Sequence, residues 1–438
     1  MHIIPSFIRQ RISHRPNLVK IFDNMGWLLI DKVLRMGAGL LVGVWVARYL
    51  GPKQFGLFNY SLAFVGIFGA IAGLGLQSIV VRDTVRDPSS KAETIGTAAS
   101  LLFISGALAY GCCLGAIFWL RPDEILAKAL VAILGSVMLF KASEVAIYWF
   151  ESQVTSKYTV WVQNGIFLIF SCIKVILIMN KAPLLVFAWA TMLEALMVAS
   201  LMIIMLGLKG IKLLDLKVSL AKAKSLLTDS WPLLFSGIAI MIYMRIDQVM
   251  LGQMADDQEV GIYSAASRIS EVWYFMIGIV LTSVFPTLAS QHAENNEFLS
   301  RRWVQLYRVM FWMSISSALI VTFGSSFLVG LLYGNAYQEA QPVLCILVWA
   351  GVNVAIGSVW SNWLLLENKL QIGLYGHLVG AGLNIILNIL LIPDFGAKGS
   401  AYATLLSYWI SALFVYSLHK ARQTYSLIFE AIFFWKIK

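Results

Sequence analysis

The chain has 438 residues, of which 59% are hydrophobic and only 13% charged, against about 25% charged in soluble domains. This composition excludes a soluble globular body, because apolar runs follow one another with only short polar breaks. A net charge of +10 raises nucleic acid as a partner, yet most basic residues sit in the breaks between apolar runs, so they read as a topology signal and no nucleic acid is expected.

Residues 1–23 mix Ile3, Ile4, Phe7, Ile8 and Ile12 with arginines, the pattern of an interfacial segment lying on anionic membrane lipid. The first apolar run extends from near Met25 to Leu50. It far exceeds the roughly 7–15 residues of a signal-peptide core, so it is expected to remain as the first span. Further spans are predicted to begin near residues 55, 94, 126, 157 and 184, completing an N-terminal lobe over 24–208. A linker over 209–230 leads to a C-terminal lobe over 231–419, with spans beginning near 231, 261, 306, 341, 371 and 399. Residues 420–438 set Phe429, Phe433, Phe434 and Trp435 beside lysines and read as a second interfacial segment. The expected fold class is therefore an all-α polytopic membrane protein of about twelve transmembrane helices. Pro232, Pro286 and Pro342 fall at predicted span ends, where a missing N–H costs least.

The basic residues orient this arrangement. With the N-terminus inside, twenty lysines and arginines fall in cytoplasmic segments and six on the opposite side, which by the positive-inside rule puts both termini in the cytoplasm.

An internal repeat links the halves. LGPKQFGLFNYSLAF (Leu50 to Phe64) and ADDQEVGIYSAASRI (Ala255 to Ile269) align at an offset of 205, matching Gly56 to Gly261 and Phe58 to Tyr263. YWFESQ (Tyr148 to Gln153) and WLLLENK (Trp363 to Lys369) match Glu151 to Glu367. Two six-helix lobes entering the membrane in the same direction imply a pseudo-twofold axis along the membrane normal, with a cavity between them.

Several charges fall inside the spans. The basic set is Lys32, Arg35, Lys141, Lys174, Arg245 and Arg268, with Arg308 near a span start; the acidic set is Asp31, Glu144, Glu194, Asp247 and Glu271. Each would cost roughly 2.5–3.5 kcal/mol at a helix centre, so they are expected to face a wet cavity or one another. Asp31 with Arg35, Lys141 with Glu144 and Arg268 with Glu271 have the spacing of pairs on one helix face. Arg245 and Asp247 point in different directions, and Lys174 and Glu194 have no partner on their own helices. Guanidinium binds phosphate oxygens bidentately and ammonium adds a compact charge, so the basic residues suit a phosphate or pyrophosphate ligand. The acids suit either a coupling ion, proton or sodium, or a scaffold for the arginines.

All four cysteines (Cys112, Cys113, Cys172, Cys345) lie in predicted spans and read as packing residues, as does His377. HExxH, Walker, zinc-spaced and Gly-x-Ser-x-Gly patterns are missing from the sequence, so no cofactor, metal or bond-making chemistry is expected.

ARYLGPKQFGLFNYSLAF (Ala47 to Phe64), RIDQVMLGQMADDQEVGIYSAASRISEVWYF (Arg245 to Phe275), LYGNAYQEAQPVLCILVW (Leu332 to Trp349) and NIILNILLIPDFGAKGSAYATLLSYW (Asn384 to Trp409) resemble the Wzx, or O-antigen, polysaccharide flippases. That resemblance implies the fold of the multidrug/oligosaccharidyl-lipid/polysaccharide exporter superfamily, and an undecaprenyl-pyrophosphate-linked oligosaccharide as cargo. It also implies a bacterial inner-membrane location, and a polysaccharide polymerase and chain-length regulator as partners. Relatives carry functional charges in the first, seventh and eighth helices, where Lys32, Arg35, Arg245, Asp247 and Arg268 stand. The basic excess disfavours a cationic-drug antiporter. Twelve spans rather than fourteen, with the DQVMLG match, disfavour a peptidoglycan-precursor flippase, and external breaks of a few residues are too short for a glycan polymerase.

Overall fold

Backbone N–H and C=O groups in hydrocarbon must bond within their own segment, and helices satisfy that demand along this chain. The computed structural model describes residues 16–291, 296–367 and 369–417, and no strand occurs among them. The second expected interfacial segment lies outside the described residues, as does the first up to residue 15.

The helices are α1 Pro16–Ala72, α2 Leu76–Arg86, α3 Lys91–Leu120, α4 Ile125–Gly135, α5 Glu144–Ser152, α6 Lys157–Met179 and α7 Leu184–Lys209. They continue with α8 Leu220–Met254, α9 Asp257–Gln291, α10 Asn296–Tyr333, α11 Ala340–Leu366 and α12 Leu370–Ser417. Among the described residues nine helical stretches are long and apolar enough to cross a membrane. Twelve spans were expected, and part of the difference has a simple cause: α1 and α12 are each two helices joined at a kink. The kinks fall at Gly51 (φ +70°) and Gly396 (φ +54°), where only glycine adopts the backbone at no steric cost. Pro52 then opens the next helix, where the N–H it lacks would have no intrahelical partner anyway.

The chain divides into two compact units. Unit 1 comprises residues up to Tyr49 together with Ser61–Met241; unit 2 comprises Leu50–Tyr60 together with residues from Ile242 onward.

Unit 1 is built on a buried cluster that includes Leu76, Ile95, Leu102, Phe150, Met202 and Leu206. Between α4 and α5 the chain runs as a 3₁₀ helix over Ser136–Ser143, longer than the usual three or four residues. α3 presses on it: a Cβ at Gly106 would fall 2.2 Å from the Met138 carbonyl oxygen. In 3₁₀ geometry residues i and i+3 eclipse, which brings Lys141 over Glu144. α8 begins at Leu220, well before the predicted span start near 231, so Pro232 lies inside the helix rather than at its end. The early start is anchored by two charges distant in sequence: Lys222 pairs with Asp83 at 2.8 Å and Asp229 pairs with Arg82.

Unit 2 centres on Trp303, Tyr307, Met310, Val352, Ala355 and Val359. Its tightest crossing joins the two copies of the sequence repeat. A Cβ at Gly56 would fall 1.6 Å from the Asp257 carbonyl oxygen, and one at Gly261 would fall 2.0 Å from that of Pro52. The offset of 205 maps Gly56 onto Gly261 and Pro52 onto Asp257, so the two contacts are images of one another.

Candidate functional site

In unit 1 the charges predicted from the sequence are compensated. On α1, Arg35 pairs with Asp31 at 2.8 Å and its guanidinium also donates to Gln163 Oε1 (2.8 Å) and Asn164 Oδ1 (3.2 Å) of α6. Lys141 pairs with Glu144 at 2.7 Å, whose second oxygen accepts from the Tyr148 hydroxyl at 3.0 Å. Lys174 of α6 and Glu194 of α7, each without a partner on its own helix, pair with one another at 2.8 Å. Lys32 is exposed on α1.

Two cavities of unit 1 share the Lys141–Glu144 pair as a wall. One, of about 430 Å³, is lined by that pair, the Lys174–Glu194 pair, Gln163 and Thr191. The other, of about 440 Å³, adds Tyr148, Gly66 and Gly69 of α1, and Gly73 in the turn after it.

Unit 2 differs. Arg268 donates to Asn59 Oδ1 at 3.0 Å and lies 5.0 Å from the Phe55 ring centroid. The Arg268–Glu271 pair suggested by the spacing does not form; Asn59 and Phe55 hold the guanidinium, and Glu271 accepts from Ser267 Oγ at 3.2 Å. Among the described residues, no acid pairs with Arg268 or Arg245, and Arg245 makes no hydrogen bond. The two arginines are near enough for their charges to repel. Glu271 offsets part of that repulsion from beyond ion-pair distance, and two guanidiniums without an ion pair can hold an anion.

Asp247 is 3% exposed, and no cation pairs with it among the described residues. Its carboxylate accepts from Asn388 Nδ2 (2.6 Å), the Tyr263 hydroxyl (2.7 Å) and Thr404 Oγ1 (2.9 Å). Asn388 also donates to Asn384 Oδ1 at 3.0 Å. The buried Asn388 Oδ1 and Ser400 Oγ have no hydrogen-bond partner among the described residues. A carboxylate held only by neutral groups, here two hydroxyls and an amide, can hold a proton or a hard cation. No cluster of three or more His, Cys, Asp or Glu suited to a metal occurs among the described residues.

The sequence reading missed the shell of Asp247. Its visible signal is Asn384 with Asn388, two amides four residues apart in an otherwise apolar run. It also missed Asn59, Gln163 and Asn164, the neutral partners of the arginines. None of the four cysteines is bonded to another.

A model of the polysaccharide biosynthesis protein family matches residues 21–292, well over half of the chain. The chain belongs to that family. A model of the MatE family also matches residues 232–390. Over 404 residues the chain is 23% identical to the probable low-salt glycan biosynthesis flippase Agl15 of Haloferax volcanii, covering 88% of this chain and 80% of that protein. Its fold is that of an inward-facing multidrug resistance MATE transporter of the MOP superfamily, with a TM-score of 0.73 and 16% identity over 90% of this chain and 95% of the other. The fold equally matches the lipid II flippase MurJ in an inward closed conformation, with a TM-score of 0.73 and 15% identity over 92% and 90% of the two chains. This family member is a multi-pass membrane protein and a transporter rather than an enzyme, a flippase of polysaccharide or glycan biosynthesis.

Proposed function

We propose that this flippase carries an undecaprenyl-pyrophosphate-linked oligosaccharide repeat unit from the cytoplasmic to the periplasmic face of a bacterial inner membrane, for O-antigen or a related surface polysaccharide. The observation that carries this reading is the Arg245 and Arg268 pair, which forms no ion pair among the described residues, Glu271 acting on Arg268 only from beyond ion-pair distance. Two guanidiniums without an ion pair in an apolar helical unit are costly unless an anion completes them. A pyrophosphate supplies several acceptor oxygens on one group, which suits two forks at once.

The remaining cations, Lys32, Arg35, Lys141 and Lys174, belong to the cargo path in this proposal, with Asp31, Glu144, Glu194 and Glu271 as scaffold acids. Asp247 is the candidate coupling acid for proton or sodium, supported by its oxygen shell and lack of a cation. The internal repeat supports alternating access by two six-helix lobes, 24–208 and 231–419, joined by the 209–230 linker. The lysine and arginine asymmetry supports cytoplasmic termini. A polymerase and chain-length regulator are the expected partners.

Deleting the gene tests the proposal. Surface polymer should vanish from gels, with single repeat units trapped on the cytoplasmic face. Normal polymer in the deletion strain would refute it, and repeat units delivered outside but left unpolymerised would point to a polymerase.

A further inference from the structure

We propose that the cavity of unit 1 lined by Lys141, Glu144, Gln163, Lys174, Thr191 and Glu194 recognises the sugar part of the cargo, as a site for neutral, hydroxyl-rich rings. The inference rests on the glycan-flippase reading above and deepens it by separating where sugar and phosphate are read.

Charge balance is the first argument. Both ammonium groups facing this cavity already touch a carboxylate, at 2.7 and 2.8 Å. A phosphate entering it would meet two carboxylates as closely as two ammoniums, so the site has no net attraction for an anion. Hydroxyls are different. Each ammonium keeps N–H donors beyond the one its carboxylate uses, each carboxylate keeps lone pairs, the Gln163 amide adds N–H donors, and Thr191, whose hydroxyl donates to the Phe187 carbonyl at 3.0 Å, adds an acceptor. Every sugar hydroxyl both donates and accepts, so this alternation of donors and acceptors is its complement.

Size and surroundings agree. A volume of about 430 Å³ falls within the roughly 300–1,000 Å³ of small-molecule sites. Ile147 and Met202 supply apolar wall for the C–H faces of a ring. The four charged side chains are 20–32% exposed, shielded enough for their hydrogen bonds to count for more than in water.

A purely structural role makes a different demand. Buried ion pairs can usually be exchanged for apolar pairs with little loss of stability, and often with a gain. If Lys174 and Glu194 only hold α6 against α7, the double variant K174L/E194L should keep full function.

The test is calorimetric binding of the repeat-unit oligosaccharide, released from the strain's own surface polymer free of lipid and phosphate, to the purified full-length protein in detergent. Wild type should bind it, and inorganic pyrophosphate should not displace it. K174L/E194L, with its melting temperature retained, should bind at least about tenfold more weakly. T191V, a near-isosteric change that removes one hydroxyl, should lose roughly threefold and keeps the test decisive if the double variant does not fold. Wild-type affinity in the folded variants, displacement by pyrophosphate, or no binding by wild type would each overturn the sugar site. The flippase reading fails separately, if glycan export continues in a strain lacking the gene.

Discussion

Two regions of this molecule carry charge in opposite ways. In unit 1, Arg35, Lys141 and Lys174 each touch a carboxylate within 2.8 Å. In unit 2, Arg245, Arg268 and Asp247 form no ion pair among the described residues. Placing a charge in an apolar helical bundle costs roughly 2.5–3.5 kcal/mol, and pairing offsets that cost within the protein. On the proposed function, leaving the charge open transfers the offset to something that comes and goes, an anion for the arginines and a proton or cation for the aspartate. Compensation thus separates the parts that shape the protein and meet neutral groups from the parts that wait for a charged ligand.

Breaking one pair in unit 1 should have the largest effect. Glu194→Ala leaves Lys174 uncompensated, and stability should fall by an amount approaching the roughly 3–5 kcal/mol of a fully buried pair; thermal melting in detergent reads this out. If the variant melts with wild type, the pairing carries no structural weight.

Opening unit 2 further should spare the fold and harm transport. Arg245→Ala orphans no acid, so its level in the membrane should match wild type while export falls by about 10- to 150-fold, the equivalent of losing a charged hydrogen bond worth roughly 1.5–3 kcal/mol. Loss of the protein instead would mean that Arg245 is structural.

Asp247→Asn keeps the shape and removes the charge, and its NH2 can face the Tyr263 and Thr404 hydroxyls once these turn from donors to acceptors, so stability should change by about 1 kcal/mol. In proteoliposomes, transport by this variant should stop responding to an imposed proton or sodium gradient. A response equal to wild type would remove Asp247 from coupling.

The smallest effect on transport is expected from Arg35→Lys, which keeps the charge beside Asp31 but gives up the fork that reaches Gln163 and Asn164. A loss of about 0.5–1.5 kcal/mol should appear as a lower melting temperature with export intact.

Much of this architecture can be read along the chain, because a lipid solvent imposes long apolar runs whose breaks mark helix ends. The reading fails where a distant residue intervenes. α8 starts at Leu220 because Asp83 and Arg82, far away in sequence, satisfy Lys222 and Asp229. The 3₁₀ stretch over Ser136–Ser143 has no signature of its own and is seen only where α3 packs on it at Gly106. The identities of the embedded charges were legible, since hydrocarbon makes any charge conspicuous. Their partners were legible only within one helix turn. Asp31 with Arg35 and Lys141 with Glu144 pair as the spacing suggests, whereas Lys174 with Glu194 joins two helices and Arg268 turns from Glu271 to Asn59. The repeat was visible as an offset, but the reciprocal contact of its glycines was not, since an offset carries no distance.

The central claim is that open arginines mark the place where a lipid pyrophosphate is carried. It is tested most directly by the sidedness of lipid-linked repeat units in a deletion strain complemented with wild type or with Arg245→Ala at equal protein level. Wild type should deliver the units to the outer face, and the variant should leave them trapped on the cytoplasmic face. Equal delivery by the two would contradict the account.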